Sequence, residues 1–280
     1  MPGFPTRNKL KQPVMKGRKL YRVYVWELPV RIYHWLNAVA IVVLCITGYL
    51  IGNPPALMSG QEASDQYLFG WIRFIHFATA YIFVFNFLFR LYWGFVGNKY
   101  SSWKNFIPHS RAYLHELWEV LRIDILLAKG KDHLSVGHNA LAGFVYFIFF
   151  LASLLMVLTG FGLYASMSTW WFADLFAWVP GLVGDDFTLR NIHHALMWFF
   201  IIFSLIHVYL VFYHDYVEGR GELSSMAGGW KFVEEEVFRQ ELLEEAAEER
   251  AQLEKARHLA GTTAKKKGDR REASEETPAP

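Results

Sequence analysis

The 280-residue chain has a single cysteine, Cys45, and that scarcity sets a first boundary on its chemistry. One thiol cannot hold an iron–sulfur cluster, a C-x-x-C-H haem attachment or a thiolate-ligated nickel–iron centre. A redox centre in this chain therefore rests on nitrogen ligands, and chemistry on a small substrate falls to another chain. Acidic residues are missing from the central parts of the long apolar runs. That argues against the alternative of a proton or metal transporter working through intramembrane histidines. Residues 53–70 contain no lysine or arginine, and residues 166–192 contain only Arg190. No N-terminal signal peptide is visible: the first apolar run starts late, extends far beyond an h-region and has no A-x-A-like site after it.

What is present is apolar: 53% of residues are hydrophobic and 18% aromatic, a membrane composition diluted by polar ends. Four stretches, Ile32–Gly52, Trp71–Phe95, Ala140–Ala165 and His193–Tyr213, are long enough to cross about 30 Å of hydrocarbon. The expected fold is all-α, an integral membrane four-helix bundle. Lysine and arginine number eight in residues 1–33, six in 97–138 and eleven after 213. The positive-inside rule then places both termini and the middle loop in the cytoplasm. Arg73 and Arg190 are left as the only basic residues at the outer span ends. Neither topology bias nor snorkelling asks for cations there, which favours a bound anion as their purpose.

Both belong to a recurring unit. An arginine stands three residues before a histidine at Arg31/His34, Arg73/His76 and Arg190/His193, each at the mouth of an apolar run. Residues three apart share a helix face. A fourth histidine, His207, follows His193 by fourteen positions. At about 100° per residue His207 returns to within roughly 40° of His193, whereas His194 falls roughly 140° from the face of His207. The two histidines stand about 21 Å apart along the helix. Pairing by depth gives an outer site, His76 with His193, and an inner site, His34 with His207.

Two neutral imidazoles from different helices suit a six-coordinate b haem that transfers electrons rather than activating oxygen. Two haem b groups are therefore expected, with the arginines neutralising propionates. Gly48, Gly160 and Gly162 would let a flat macrocycle approach a helix. A lone histidine in a span is often a polar packing group. Four at two matched depths shift the reading towards ligation. His194 reads as a helix-end or loop contact, and His109, His115, His133, His214 and His258 as solvated or interfacial.

Along the chain, residues 1–23 form a basic cytoplasmic lead-in and 24–217 the four-span domain, with Trp26 as an interfacial anchor. Residues 113–128 of the middle loop read as a surface amphipathic helix. The outer loop 166–189 is rich in tryptophan and phenylalanine, either as a face for an external partner or as an interfacial belt. Phe232, Val233, Val237, Phe238, Leu242 and Leu243 recur at helical spacing, so residues 218–260 are expected to form a cytoplasmic amphipathic helical extension. Residues 261–280 are expected to be a disordered tail. A short echo links Ile46-Thr47-Gly48-Tyr49 with Leu158-Thr159-Gly160-Phe161, both at outer ends of outward-running spans.

At these residues the chain resembles the b-type cytochrome subunit of membrane-bound nickel–iron hydrogenases. Arg31-Ile-Tyr-His34-Trp35-Leu36, continuing to Leu44-Cys-Ile-Thr47-Gly48, is similar to one signature of that family. His193-His194-Ala-Leu-Met-Trp198, then Phe203 and His207, is similar to a second. Arg73-Phe-Ile-His76-Phe and Gly137-His138-Asn139 also resemble family segments, and the likeness runs from about Tyr24 to Val217. The resemblance implies a four-helix, two-haem anchor in a bacterial inner membrane, an electron-transfer subunit and not an enzyme by itself. Electrons would come from hydrogen through the iron–sulfur small subunit of a hydrogenase whose catalytic large subunit also lies outside the cytoplasm. They would pass the outer and then the inner haem to quinone, with membrane lipid and no nucleic acid as the remaining surroundings. Related formate dehydrogenase membrane subunits share the haem logic, so formate dehydrogenase or another external reductase is the alternative partner. By analogy with those relatives, His138 and Asn139 are candidates for a quinone site. Asn139 reads equally as the cap of span three.

Overall fold

A computed structural model describes residues 19–54, 67–108, 111–124, 136–137, 140–218 and 221–275. The chain divides into two compact units. One is residues 22–232, which hold the spans, and the other is terminal, described over 19–21 and 233–275.

Among the described residues, four helices are long and apolar enough to cross a membrane: α1 (Leu28–Gly52), α2 (Leu68–Val96), α4 (Ala140–Ala165) and α7 (Asp186–Glu218), the last over Asp186–Tyr213. These are the stretches expected from the sequence; α4 has the expected bounds, and α1, α2 and α7 start one to two turns earlier. Between α2 and α4 lie two single 3-10 turns and α3 (Arg111–Asp124). The expected surface helix of the middle loop thus starts two residues early, and residues 125–128 lie outside the described ones. Pro29 opens α1, where a missing N–H does no harm. At the other end the Asn53 N–H bonds the Tyr49 carbonyl at 2.8 Å, and Pro54 follows. Before α7, the Asp185 carboxylate accepts the Thr188 N–H at 2.6 Å, which holds its pKa below the usual carboxylate value.

The helices associate chiefly as α1 with α2 and α4 with α7. Polar ties fix the first pair. The Asn86 amide donates to the Tyr33 carbonyl at 3.0 Å. Glu27, just before α1, accepts from the Trp93 indole at 3.0 Å and the Asn98 N–H at 2.8 Å. Arg90 of α2, a residue the sequence reading passed over, is 2% exposed. It donates to the Ser101 carbonyl at 3.0 Å and lies over the rings of Trp103, Phe106 and Tyr146. Such charge-assisted and cation–π contacts offset the burial of the guanidinium and anchor the loop after α2. Phe149, Ala152 and Phe200 form a core between α4 and α7.

In the loop 166–189, α5 (Trp171–Asp174) and α6 (Val179–Val183) turn Phe172 and Phe176 inward against Phe161. Trp171, Trp178, Leu182 and Phe187 stay exposed. After the spans come α8 (Glu222–Gly228) and strand β2 (Trp230–Glu234), which pairs with β1 (Leu20–Tyr24). Lys231 on β2 is buried in an ion pair with Glu222 at 2.6 Å.

Two expectations for the termini are corrected. Phe232 and Val233 belong to a strand, because β2 finds a partner in β1 and the helix, α9 (Glu235–Glu275), starts only afterwards. That helix then runs past Gly261, where a disordered tail was expected, as far as Glu275. Each of its two glycines, Gly261 and Gly268, costs a helix only about 1 kcal/mol relative to alanine, and the alanine, lysine, arginine and glutamate residues around them are helix formers. In the terminal unit, Lys19 pairs with Glu235 at 3.8 Å and Tyr21 stacks on Phe238 at 5.0 Å.

Candidate functional site

His34 ends the second turn of α1, His76 lies on α2, and His193 and His207 lie on α7. The fold brings them together in the pairs expected by depth. His34 and His207 face each other with ring centroids 6.2 Å apart and planes inclined by 58°. A metal held between two imidazoles, at about 2 Å from each nitrogen with a further ~1.1 Å to each ring centre, would need roughly 6 Å between centroids, so His34 and His207 would be able to hold one iron together. His34 also leaves a buried Nδ1 with no hydrogen-bond partner among the described residues. His207 stacks on Phe203 at 5.6 Å and 6°, one turn back on α7.

His76 and His193 line one apolar pocket between α1, α2, α4 and α7, and Arg73 and Arg190 line it too. The chemistry of this lining matches a flat apolar macrocycle carrying two carboxylates: hydrocarbon walls, two guanidinium groups and the imidazoles of His76 and His193, with His194 at the border. The His76 Nδ1 lies 2.9 Å from the Thr47 hydroxyl of α1. The His193 Nδ1 lies 2.9 Å from the Thr159 hydroxyl of α4. Glycines follow both threonines, and the imidazoles occupy their missing side chains. A β-carbon at Gly48 would stand 3.3 Å from His76 Cε1, and one at Gly160 would stand 3.0 Å from His193 Cε1. Gly48 and Gly160 thus admit histidine rings, and Gly162 packs against Val179 and Leu189 instead of approaching a macrocycle.

Among the described residues, no three histidine, cysteine, aspartate or glutamate side chains gather as a metal-binding group. Pairs of histidines are the ligand sets on offer. A pair suffices for iron when a porphyrin supplies the other four nitrogens.

The remaining site residues divide. His194 borders the same pocket, but its ring rests against Gly52, which leaves no room for a β-carbon there. Arg31 takes a contact that the Arg-x-x-His pattern does not anticipate: its Nη1 donates to the Ala227 carbonyl at the end of α8. The neighbouring Trp35 indole donates to the Met226 carbonyl at 3.1 Å. His115 lies outside the spans, 3.8 Å from Glu119. His138 and Asn139, singled out for quinone, lie outside the described residues, as do His109 and His133. Thr47 and Thr159 were not expected as histidine partners; the repeated Thr-Gly step marks both positions in the sequence without indicating what they contact.

A family model described as prokaryotic cytochrome b561 matches residues 25–229. The probable Ni/Fe-hydrogenase B-type cytochrome subunit of Cupriavidus necator is 42% identical over 223 residues, covering 78% of this chain and 90% of that protein. The protein of the same description from Azotobacter vinelandii is 41% identical over 227 residues, 79% of this chain and 93% of its own length. The probable Ni/Fe-hydrogenase 1 B-type cytochrome subunit of Escherichia coli K12 is 35% identical over 216 residues, 74% of this chain and 90% of the relative.

Proposed function

Because the chain belongs to the prokaryotic cytochrome b561 family, we propose that it is the electron-transfer membrane subunit of a nickel–iron hydrogenase, holding two b haems. His76 and His193 bind one haem iron, and His34 and His207 bind the other. Bound haem supplies a one-electron couple at each site, linking hydrogen oxidation by the partner's small and large subunits to quinone. The observation that carries this reading is the 6.2 Å separation of the His34 and His207 rings, contributed by two different helices.

The chain's own residues do the rest. Four imidazoles hold the irons at two depths, so electrons have a route across the hydrocarbon layer. Arg73 and Arg190 neutralise the propionates at the His76/His193 site, with Arg31 assigned the same role at the other. The apolar walls exclude water, which limits reorganisation around each iron. By the distribution of lysine and arginine, both termini lie in the cytoplasm of a bacterial inner membrane. The His76/His193 site then faces the hydrogenase, and the His34/His207 site faces the quinone, where His138 and Asn139 are the candidate hydrogen-bonding and proton-donating groups. The names of the relatives favour hydrogenase over formate dehydrogenase as the partner.

Membranes carrying the whole complex test this directly. Hydrogen should reduce two b-haem populations in the absence of acceptor, and added quinone should reoxidise them. Deleting this chain should abolish hydrogen-dependent quinone reduction while a soluble dye is still reduced. Haems that respond to formate and not to hydrogen would reassign the partner.

A further inference from the structure

We propose that Thr47 and Thr159 are matched positioning residues for the His76/His193 site, each holding its imidazole in the Nδ1–H tautomer so that Nε2 faces the iron. The proposal rests on the haem reading above and concerns which protein atoms tune that site. A hydroxyl has one proton to give. Thr47 Oγ1 lies 2.7 Å from the Val43 carbonyl, one turn back on α1, and that carbonyl can only accept. Thr159 Oγ1 lies 2.8 Å from the Leu155 carbonyl in the same way on α4. With their protons committed to the helix backbone, both hydroxyls accept from the imidazoles at 2.9 Å. Each Nδ1 is therefore the donor, and each Nε2 keeps its lone pair.

The surroundings reinforce the assignment. Thr47 is 7% exposed and Thr159 5%, so water does not compete for these bonds. The glycine after each threonine makes room for the ring it orients, at 3.3 Å for Gly48 and 3.0 Å for Gly160. Two helices that are not sequence neighbours thus present the same Thr-Gly step to the two ligands of one site. At the other site, His34 Nδ1 has no such partner among the described residues, and His207 is braced by a phenylalanine ring.

A ligating imidazole that donates its other N–H to an acceptor becomes more basic and stabilises the oxidised metal. The threonines therefore lower the reduction potential of the His76/His193 site, while Arg73 and Arg190 raise it through their charge. Replacing either hydroxyl by a methyl strands a buried N–H and removes that basicity.

The test is a redox titration, with electron paramagnetic resonance, of the intact complex carrying Thr47→Val, Thr159→Val, Thr47→Ser or Thr159→Ser. The valine variants should raise the midpoint potential of one b haem and shift its low-spin signal, with the other haem unmoved. The serine variants, which keep a hydroxyl, should titrate as the wild type. Loss of one haem in a valine variant with retention in its serine counterpart would support the same assignment. Valine and serine variants that behave alike, or a shift confined to the other haem, would overturn it. A wild-type complex with no haem would sink the parent reading at the first step. Two haems in the wild type, indifferent to all four substitutions, would sink only the role of the threonines.

Discussion

With two b haems held as proposed, His193→Ala is expected to leave the complex with a single b haem, whereas His194→Ala keeps both. The two residues are adjacent, so a general disturbance of α7 would affect them alike. Their surroundings differ. The His193 ring fills the space over Gly160 with its Nδ1 on Thr159, and it faces the pocket it shares with His76. The His194 ring is wedged against Gly52 at the end of α1. Fourteen residues further on, His207 meets His34, so His207→Ala should remove the second haem and spare the first. Pyridine haemochrome spectra of the purified variants, with membrane insertion checked by immunoblot, read out both effects. Loss of haem from the His194 variant and not from the His193 variant would reverse the ligand assignment.

Arg73→Gln and Arg190→Gln should each lower the reduction potential of the haem held by His76 and His193. Positive charge beside a haem favours the reduced form, which carries one unit less of positive charge, so its removal favours the oxidised form. Both arginines are exposed in the chain, and screening limits each effect to on the order of 1 kcal/mol. A haem held by His34 and His207 should shift much less, since His207 stands about 20 Å from His193 along α7. Equal movement of both haems, or of neither, would reduce these arginines to interfacial anchors.

The spans were legible because crossing hydrocarbon demands long apolar runs, and nothing else in the chain imitates them. Which histidines meet was legible for a related reason. A fourteen-residue spacing nearly closes a whole number of helical turns, so depth and face follow from position alone. The partners of those histidines were not legible. That Thr47 and Thr159 receive the rings depends on how α1 and α4 are packed, and the Thr-Gly echo carries no information about distance. Arg31 shows the same limit: its contact is a backbone carbonyl 196 positions away. Nothing in the aromatic run around Arg90 marks it for burial; tertiary packing against Trp103, Phe106 and Tyr146 is what buries it. Five-residue strands such as β1 and β2 gain their identity from each other. Read singly, Phe232 and Val233 fit the helical spacing of the segment that follows.

The most direct measurement is haem stoichiometry in the complex purified with its partner subunits. Pyridine haemochrome analysis should give about two b haems per copy of this chain, both removed by acid-acetone because no cysteine pair tethers them. A complex of verified composition that contains no haem, or whose haem resists extraction, would contradict the assignment of His34, His76, His193 and His207 as the ligands of two b haems.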